Sequence, residues 1–293
     1  MGTAHDPMTL SAGARRQINS LSQAQPEAGP WLAVLEAALA EAADPVWDAA
    51  AATATLHPER TPGMPLLAGA DIPVDRHRVD RWVRRLLALA GEAGSAAIPL
   101  RAAAHDDALD AAAILEAAIN GDGNRLEGIA QSFGLDPETL GAVAPLAVMP
   151  LLQALRRRFG SAVDPRWSEG VCPVCGGWPT LAEQRGLERA RRLRCGRCGG
   201  DWAQPGIRCP FCDMTGHQHR SALVAADDRE SRRVETCAAC RGYLKNISTL
   251  RAWAGDEVVL ADLVTIELDL VAVEREYERP VARPLTPRAR LIA

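Results

Sequence analysis

The hydrophobic pattern changes character partway along the chain. Up to about residue 165, apolar positions recur every three or four residues, which is the helical period. Trp31, Leu35, Ala38 and Leu39 share one face of a helix predicted over Trp31–Ala43. Asp44-Pro45 supplies an N-cap followed by proline at the first helical position, so a second helix is expected to run to about Leu56. Thr61 to Asp75 holds three prolines and two glycines and reads as a loop. Asp75 can cap a helix reaching about Ala93, with Val79, Trp82, Val83, Leu86, Leu87 and Ala90 on its apolar face. Further helices fit 102–119 and 124–132. Asp136-Pro137 starts a short one, and another follows from Pro145 to about Phe159. Residues 1–165 thus read as an all-α domain of six or seven helices. Its polar first stretch, 1–26, is expected to be mobile to about Ser22. Arg156, Arg157 and Arg158 close the last helix, where cations suit the negative end of the dipole.

After residue 251 the period is ambiguous. Val259, Leu263, Ile266, Leu270, Val273 and Tyr277 recur at helical spacing, whereas Val264, Ile266, Leu268 and Leu270 alternate as in a strand. The length without Gly or Pro favours a C-terminal helix, with disorder expected from Pro280 onward.

Between these regions the periodic signal gives way to cysteine. All eight cysteines fall in four C-x-x-C pairs: Cys172/Cys175, Cys195/Cys198, Cys209/Cys212 and Cys237/Cys240. A C-x-x-C turn places two thiolates at about the separation of two corners of a tetrahedron, and two turns complete a four-sulfur site. Nineteen residues separate Cys175 from Cys195 and twenty-four separate Cys212 from Cys237, room for a short antiparallel excursion each time. The ten residues from Cys198 to Cys209 read as a connector. One site is therefore assigned to Cys172, Cys175, Cys195 and Cys198, the other to Cys209, Cys212, Cys237 and Cys240. Spacing alone leaves crossed pairings open. Each half begins C-P-x-C and carries an Arg-Arg pair before its second turn (Arg191-Arg192, Arg232-Arg233). This is an internal repeat of a rubredoxin-like or zinc-ribbon unit too small for a core of its own, so metal binding supplies its folding free energy, typically ~10–16 kcal/mol for structural zinc. Structural disulfides and a thioredoxin-like centre both fit four tandem pairs less well. Thiolate-only ligation suits iron and zinc alike.

Charge sharpens this picture. The chain carries −4 in total, but residues 166–251 carry +6 between flanks of −7 and −3. A basic middle can mark nucleic acid. Eight thiolates and two divalent ions bring that segment to about +2, so the arginines are read as balancing the clusters. Scarce aromatics, 4% of residues, also weaken a base-stacking surface. No apolar run approaches the ~20 residues of a membrane span. With no secretory signal and thiols that must stay reduced, the cytoplasm is the expected compartment.

Little else suggests chemistry. His217 and His219 follow Cys212 and could replace or tune a ligand, but eight cysteines already complete two sites. His57, His77 and His105 have no motif around them, and Asp106-Asp107 and Asp227-Asp228 read as solvated pairs. No G-x-S-x-G, P-loop or H-E-x-x-H motif is present. Four cysteines fill a metal's shell, whereas a catalytic metal keeps a position open, so no enzyme activity is expected.

The run from Cys172 to Lys245 resembles the formate dehydrogenase accessory protein family, FdhE type. The matching features are Cys172-Pro173-Val174-Cys175-Gly176 followed by Trp178-Pro179, then Leu193-Arg194-Cys195, Trp202, and Arg208-Cys209-Pro210. Glu235-Thr236-Cys237 and Arg241-Gly242-Tyr243-Leu244-Lys245 complete the set, and the last group is the most specific. Pro65-Leu66-Leu67 to Ile72-Pro73-Val74-Asp75 and Ala261-Asp262-Leu263 also fit. Ala203–Ile207 is less aromatic than the family pattern, and Asp213 stands where glycine is usual. The resemblance implies an α+β multidomain protein: an all-α domain over 1–165, rubredoxin-like modules over 166–206 and 207–251, and a C-terminal helix and tail over 252–293. It implies a cytoplasmic maturation factor that binds the catalytic subunit of an exported respiratory formate dehydrogenase, holds two metal ions, iron or else zinc, and does not enter the membrane. A nucleic-acid-binding zinc ribbon and a rubredoxin-like electron carrier are the alternatives.

Overall fold

The computed structural model describes residues 10–224, 231–280 and 288–292. Its first half is helical: α1 (Ala12–Ala24), α2 (Gly29–Ala42), α3 (Val46–Thr53), α4 (Arg76–Ala90), α5 (Ile98–Ala104), α6 (Ala111–Asn120), α7 (Gly123–Ser132) and α8 (Pro137–Phe159). Short polar caps set where several begin. Asp75 accepts from the amides of His77 and Arg78, Asp110 from Ala112 and Ala113, and Asp136 from Thr139. The face expected on α4 is the buried one, Val79 through Ala90.

Five expectations change here. The segment thought mobile to Ser22 forms α1, because Ala14, Ile18 and Leu21 bury against α2 and the later chain; residues 1–9 lie outside the described residues. Trp31 is 37% exposed, while Leu35, Ala38 and Leu39 carry the contact. The helix expected over 102–119 is broken between Ala104 and Ala111, where the Arg84 guanidinium gathers the carbonyls of Ala104, Asp106 and Leu109. Conversely, α8 runs unbroken through Pro145 and Pro150. An interior proline costs about 3 kcal/mol, but α8 is the axis on which α2, α3, α4, α6 and α7 pack, and that burial outweighs the missing bonds. By length and composition it could cross a membrane, contrary to the expectation that no segment could, but here its apolar surface lines the core.

The second half is built on one six-stranded sheet ordered β4-β3-β2-β7-β6-β5. Its strands are β2 (Leu181–Arg185), β3 (Ala190–Arg194), β4 (Asp201–Ala203), β5 (Arg220–Leu223), β6 (Arg232–Cys237) and β7 (Tyr243–Thr249). Each half-sheet is antiparallel and repeats the other's order, and β2 joins β7 in parallel. The internal repeat is thus two rubredoxin-like units fused edge to edge.

The expected C-terminal helix is two, α9 (Gly255–Leu263) and α10 (Ile266–Val273), broken where Thr265 turns its hydroxyl onto the Ala261 and Asp262 carbonyls. Leu268 and Ala272 are buried, whereas Ile266, Leu270 and Val273 face outward. Residues 281–287 lie outside the described residues. Beyond them the chain is ordered rather than disordered: β8 (Arg290–Ile292) pairs in parallel with β1 (Asp71–Pro73) in the helical half.

Candidate metal centres

Each C-x-x-C is a backbone knuckle, the second and fourth at the ends of β3 and β6 and the other two in loops, and the four are alike in their hydrogen bonding. The amide four residues after the first cysteine returns to that cysteine's carbonyl: Gly176 to Cys172 and Gly199 to Cys195, both at 2.9 Å, Asp213 to Cys209 at 3.1 Å, and Arg241 to Cys237 at 2.9 Å. That fourth residue is left-handed each time, φ 69° at Gly176, 70° at Gly199, 63° at Asp213 and 60° at Arg241. Glycine takes this conformation freely; Asp213 and Arg241 do so at a cost. Arg241 has an offsetting role. Its guanidinium lies 4.2 Å from the Tyr277 ring centre and donates to the carbonyls of Arg275 and Glu276.

The knuckles bring together two groups of four sulfurs, Cys172/Cys175/Cys195/Cys198 and Cys209/Cys212/Cys237/Cys240, each within 4.8 Å of one another. These are the two sets that spacing pairs, and the crossed pairings are absent. Cys172–Cys198 and Cys175–Cys195 are 3.5 Å apart, Cys209–Cys240 3.8 Å and Cys212–Cys237 3.7 Å. These separations are far beyond a disulfide's ~2.05 Å. A tetrahedron of metal–sulfur bonds near 2.3 Å has edges of about 3.8 Å. The donor sets therefore fit a four-coordinate ion each.

Electrostatics point the same way. Burial pushes the Cys172 thiol well up, reinforced by Cys175, Cys195 and Cys198. Burial likewise raises Cys209 to about 11. Burial also opposes the Cys237 thiolate, but the amides of Cys240 and Ala239 outweigh it and bring that thiol down to about 7. Four buried sulfurs cannot all ionise beside one another unless a cation takes the place of the protons.

The centres differ in surroundings. All four sulfur residues of the first are buried, and the amides of Leu66 and Leu67 donate to the carbonyls of Pro173 and Val174. Arg197 in the second knuckle donates to the Ala118 and Ile119 carbonyls at the end of α6. In the second centre Cys212 is exposed and Cys240 half-buried.

The arginines of the basic middle do not mainly balance sulfur. Arg194 and Arg185 pair with the buried Glu183, Arg191 and Arg220 with the buried Glu235, and Arg192 with Asp201. Like charges near a knuckle were legible in sequence; their carboxylate partners elsewhere in the sheet were not. His217 and His219 stand in a short turn before β5, outside both sulfur groups, and only the His219 carbonyl serves the fourth knuckle, accepting from Ala238. His57, His77 and His105 are in the helical half and join no ligand group among the described residues. Asp227-Asp228 lies outside the described residues.

The group Arg241-Gly242-Tyr243-Leu244-Lys245 has a physical reading. A Cβ on Gly242 would stand 2.8 Å from the Phe211 ring and 3.1 Å from the Cys240 sulfur. The Tyr243 hydroxyl donates to Asp269, and Lys245, fully buried, meets Asp262 and Asp269 at 2.7 Å each. Arg279 closes this network on the same two carboxylates.

Fold and centres together define a protein with a helical half carrying two fused four-cysteine modules, each able to hold a metal ion. Residues 207–286 match the family model described as FdhE, C-terminal domain. An FdhE homolog of Stutzerimonas stutzeri is 31% identical over 122 residues, 41% of this chain and 39% of that protein. One from Aquifex aeolicus is 30% identical over 115 residues, 38% and 40%. One from Pseudomonas aeruginosa is 30% identical over 146 residues, 48% and 46%. The matched stretches thus span less than half the length of these relatives. The crystal structure of the FdhE protein from Pseudomonas aeruginosa shares the fold at TM-score 0.58 and 22% identity, over 95% of this chain and 96% of that one. Residues 207–286 thus resemble the C-terminal domain of FdhE proteins, and the chain as a whole shares the fold of an FdhE crystal structure.

Proposed function

We propose that this protein is a cytoplasmic accessory factor that binds the catalytic subunit of an exported respiratory formate dehydrogenase and assists its assembly, without catalysing a reaction itself. The observation that carries this reading is the pair of closed four-sulfur clusters in a chain whose residues 207–286 match the FdhE C-terminal domain. Ligand sets that already supply four sulfurs leave no place for substrate on a bound ion. Such an ion would lock the knuckles into a rigid recognition surface. The eight cysteines, Cys172, Cys175, Cys195, Cys198, Cys209, Cys212, Cys237 and Cys240, would hold two ions per chain, iron first and zinc second. The arginine–carboxylate pairing within the sheet favours a protein client over nucleic acid, since it neutralises the guanidinium groups a phosphate backbone would need. Pull-down of the metal-loaded protein with the formate dehydrogenase catalytic subunit tests the reading. Capture, with loss of formate oxidation in a deletion strain, is the expected result. No capture and normal activity in that strain would overturn it.

A further inference from the structure

The segment 288–292 crosses back to the helical half and lies in it as a bound peptide would. Ala289 is held by both backbone groups: its N–H donates to Asn120 Oδ1 and its carbonyl accepts from Asn120 Nδ2, each at 2.9 Å. The Arg290 amide donates to the Ala70 carbonyl, and the Ile292 carbonyl accepts from Val74, both at 2.9 Å. The Leu291 amide donates to Glu116 Oε2 at 3.1 Å. Glu116 and Asn120 are one turn apart on α6 and so share a face. The cleft between that face and β1 therefore commits a carboxylate, a carboxamide and a strand edge to the backbone of a separate segment. Side-chain selection is slight and legible. Ala289 is 2% exposed and admits only a small residue, Asp71 takes the Arg290 guanidinium at 2.8 and 3.0 Å, and Leu291 rests on the core.

We propose that this cleft is a receptor for an extended peptide of another protein with the pattern small–Arg–aliphatic–aliphatic, and that residues 288–292 occupy it in cis as an exchangeable stand-in. The mode is strand addition, where main-chain bonds give affinity and alternate side chains give selectivity. The resident segment is short. It contributes a three-residue strand, and the Arg290 side chain is 71% exposed, so its ion pair with Asp71 is worth at most about 1 kcal/mol. Covalent tethering sustains its occupancy through an effective concentration on the order of millimolar, which an incoming segment must match. The receptor is distinct from the metal modules but adjoins one: Arg197 of the second knuckle holds the Ala118 and Ile119 carbonyls, and Asn120 follows directly. It does not depend on which client the modules serve.

The probe is a labelled, end-blocked Arg-Ala-Arg-Leu-Ile peptide added to the full chain. Ala289→Glu should expel the resident segment and leave the receptor intact, raising peptide affinity at least about tenfold over the parent. Adding Asn120→Ala should abolish that gain. In the unaltered chain, saturating peptide should accelerate hydrogen exchange at the Ala289 and Leu291 amides several-fold. A folded Ala289→Glu chain with no gain in affinity would overturn the receptor. If that variant does not fold, peptide-insensitive exchange in the parent would overturn it equally.

Discussion

Asp213 and Arg241 occupy the same left-handed knuckle position, yet replacing each by glycine should have unequal results. Glycine removes roughly 1 kcal/mol of backbone strain at either place. Asp213 gives up only an ion pair with Arg208 near the surface, so Asp213→Gly should change stability by no more than about 0.5 kcal/mol. Arg241 gives up its stack on Tyr277 and two bonds to carbonyls, so Arg241→Gly should cost about 1–2 kcal/mol in denaturant titration. Equal effects from the two would refute this account of the knuckle. A second residue-scale test uses Glu235. Burial opposes its charge, but Arg191, Asn246 and Arg220 outweigh burial and hold its carboxyl below the usual range. A group whose folded value is depressed stabilises fully above its unfolded value, near 4.3 for Glu, and that share is lost as pH falls through the folded value. Glu235→Gln should therefore be less stable at neutral pH and lose less stability as pH falls below about 4.3 at equal metal content. Unfolding curves at matched metal content measure both.

At the scale of elements, the two metal modules are not equivalent parts. The first is welded to the helices. Cys172, Cys175, Cys195, Cys198 and Trp202 belong to the same core cluster as α4, α6 and α8. The second forms the far edge of the sheet, β5 to β7, with its own small cluster around Val234, Tyr243 and Leu268. Cys209→Ser with Cys212→Ser should release one metal and expose β5 and β6 to protease while helical circular dichroism stays near the parent's. Cys172→Ser with Cys175→Ser should lower helical content as well. Loss confined to the sheet in both variants would show that the helical half folds alone. The sequence made the knuckles, the sulfur pairing and the face of α4 legible because each is a local rule of spacing. It did not make the weld legible, because the Leu66–Pro173 and Arg197–Ala118 contacts join residues far apart along the chain. For the same reason α1, α8 and β8 departed from expectation. Polar α1, proline-bearing α8 and the tail are each decided by what packs on them, which periodicity cannot report.

For the whole molecule, the gradient from buried to exposed cysteines should set the order in which bound metal leaves. A chelator must reach a ligand or wait for the chain to open. At the first centre all four cysteines are buried, and opening means separating Leu66 and Leu67 from the first knuckle and Arg197 from α6. That opening approaches global unfolding in cost. At the second centre the residue Cys212 is exposed and Cys240 half-buried, so exchange there needs only local motion. The loaded protein mixed with excess chelator should thus lose its metal in two phases of equal amplitude, one equivalent each. The fast phase should vanish in the Cys209→Ser, Cys212→Ser variant. The slow phase should accelerate in mild urea in step with loss of helical signal, because it reports opening of the shared core. A single phase releasing both equivalents would mean that the centres open together and that the sheet, not burial, governs access.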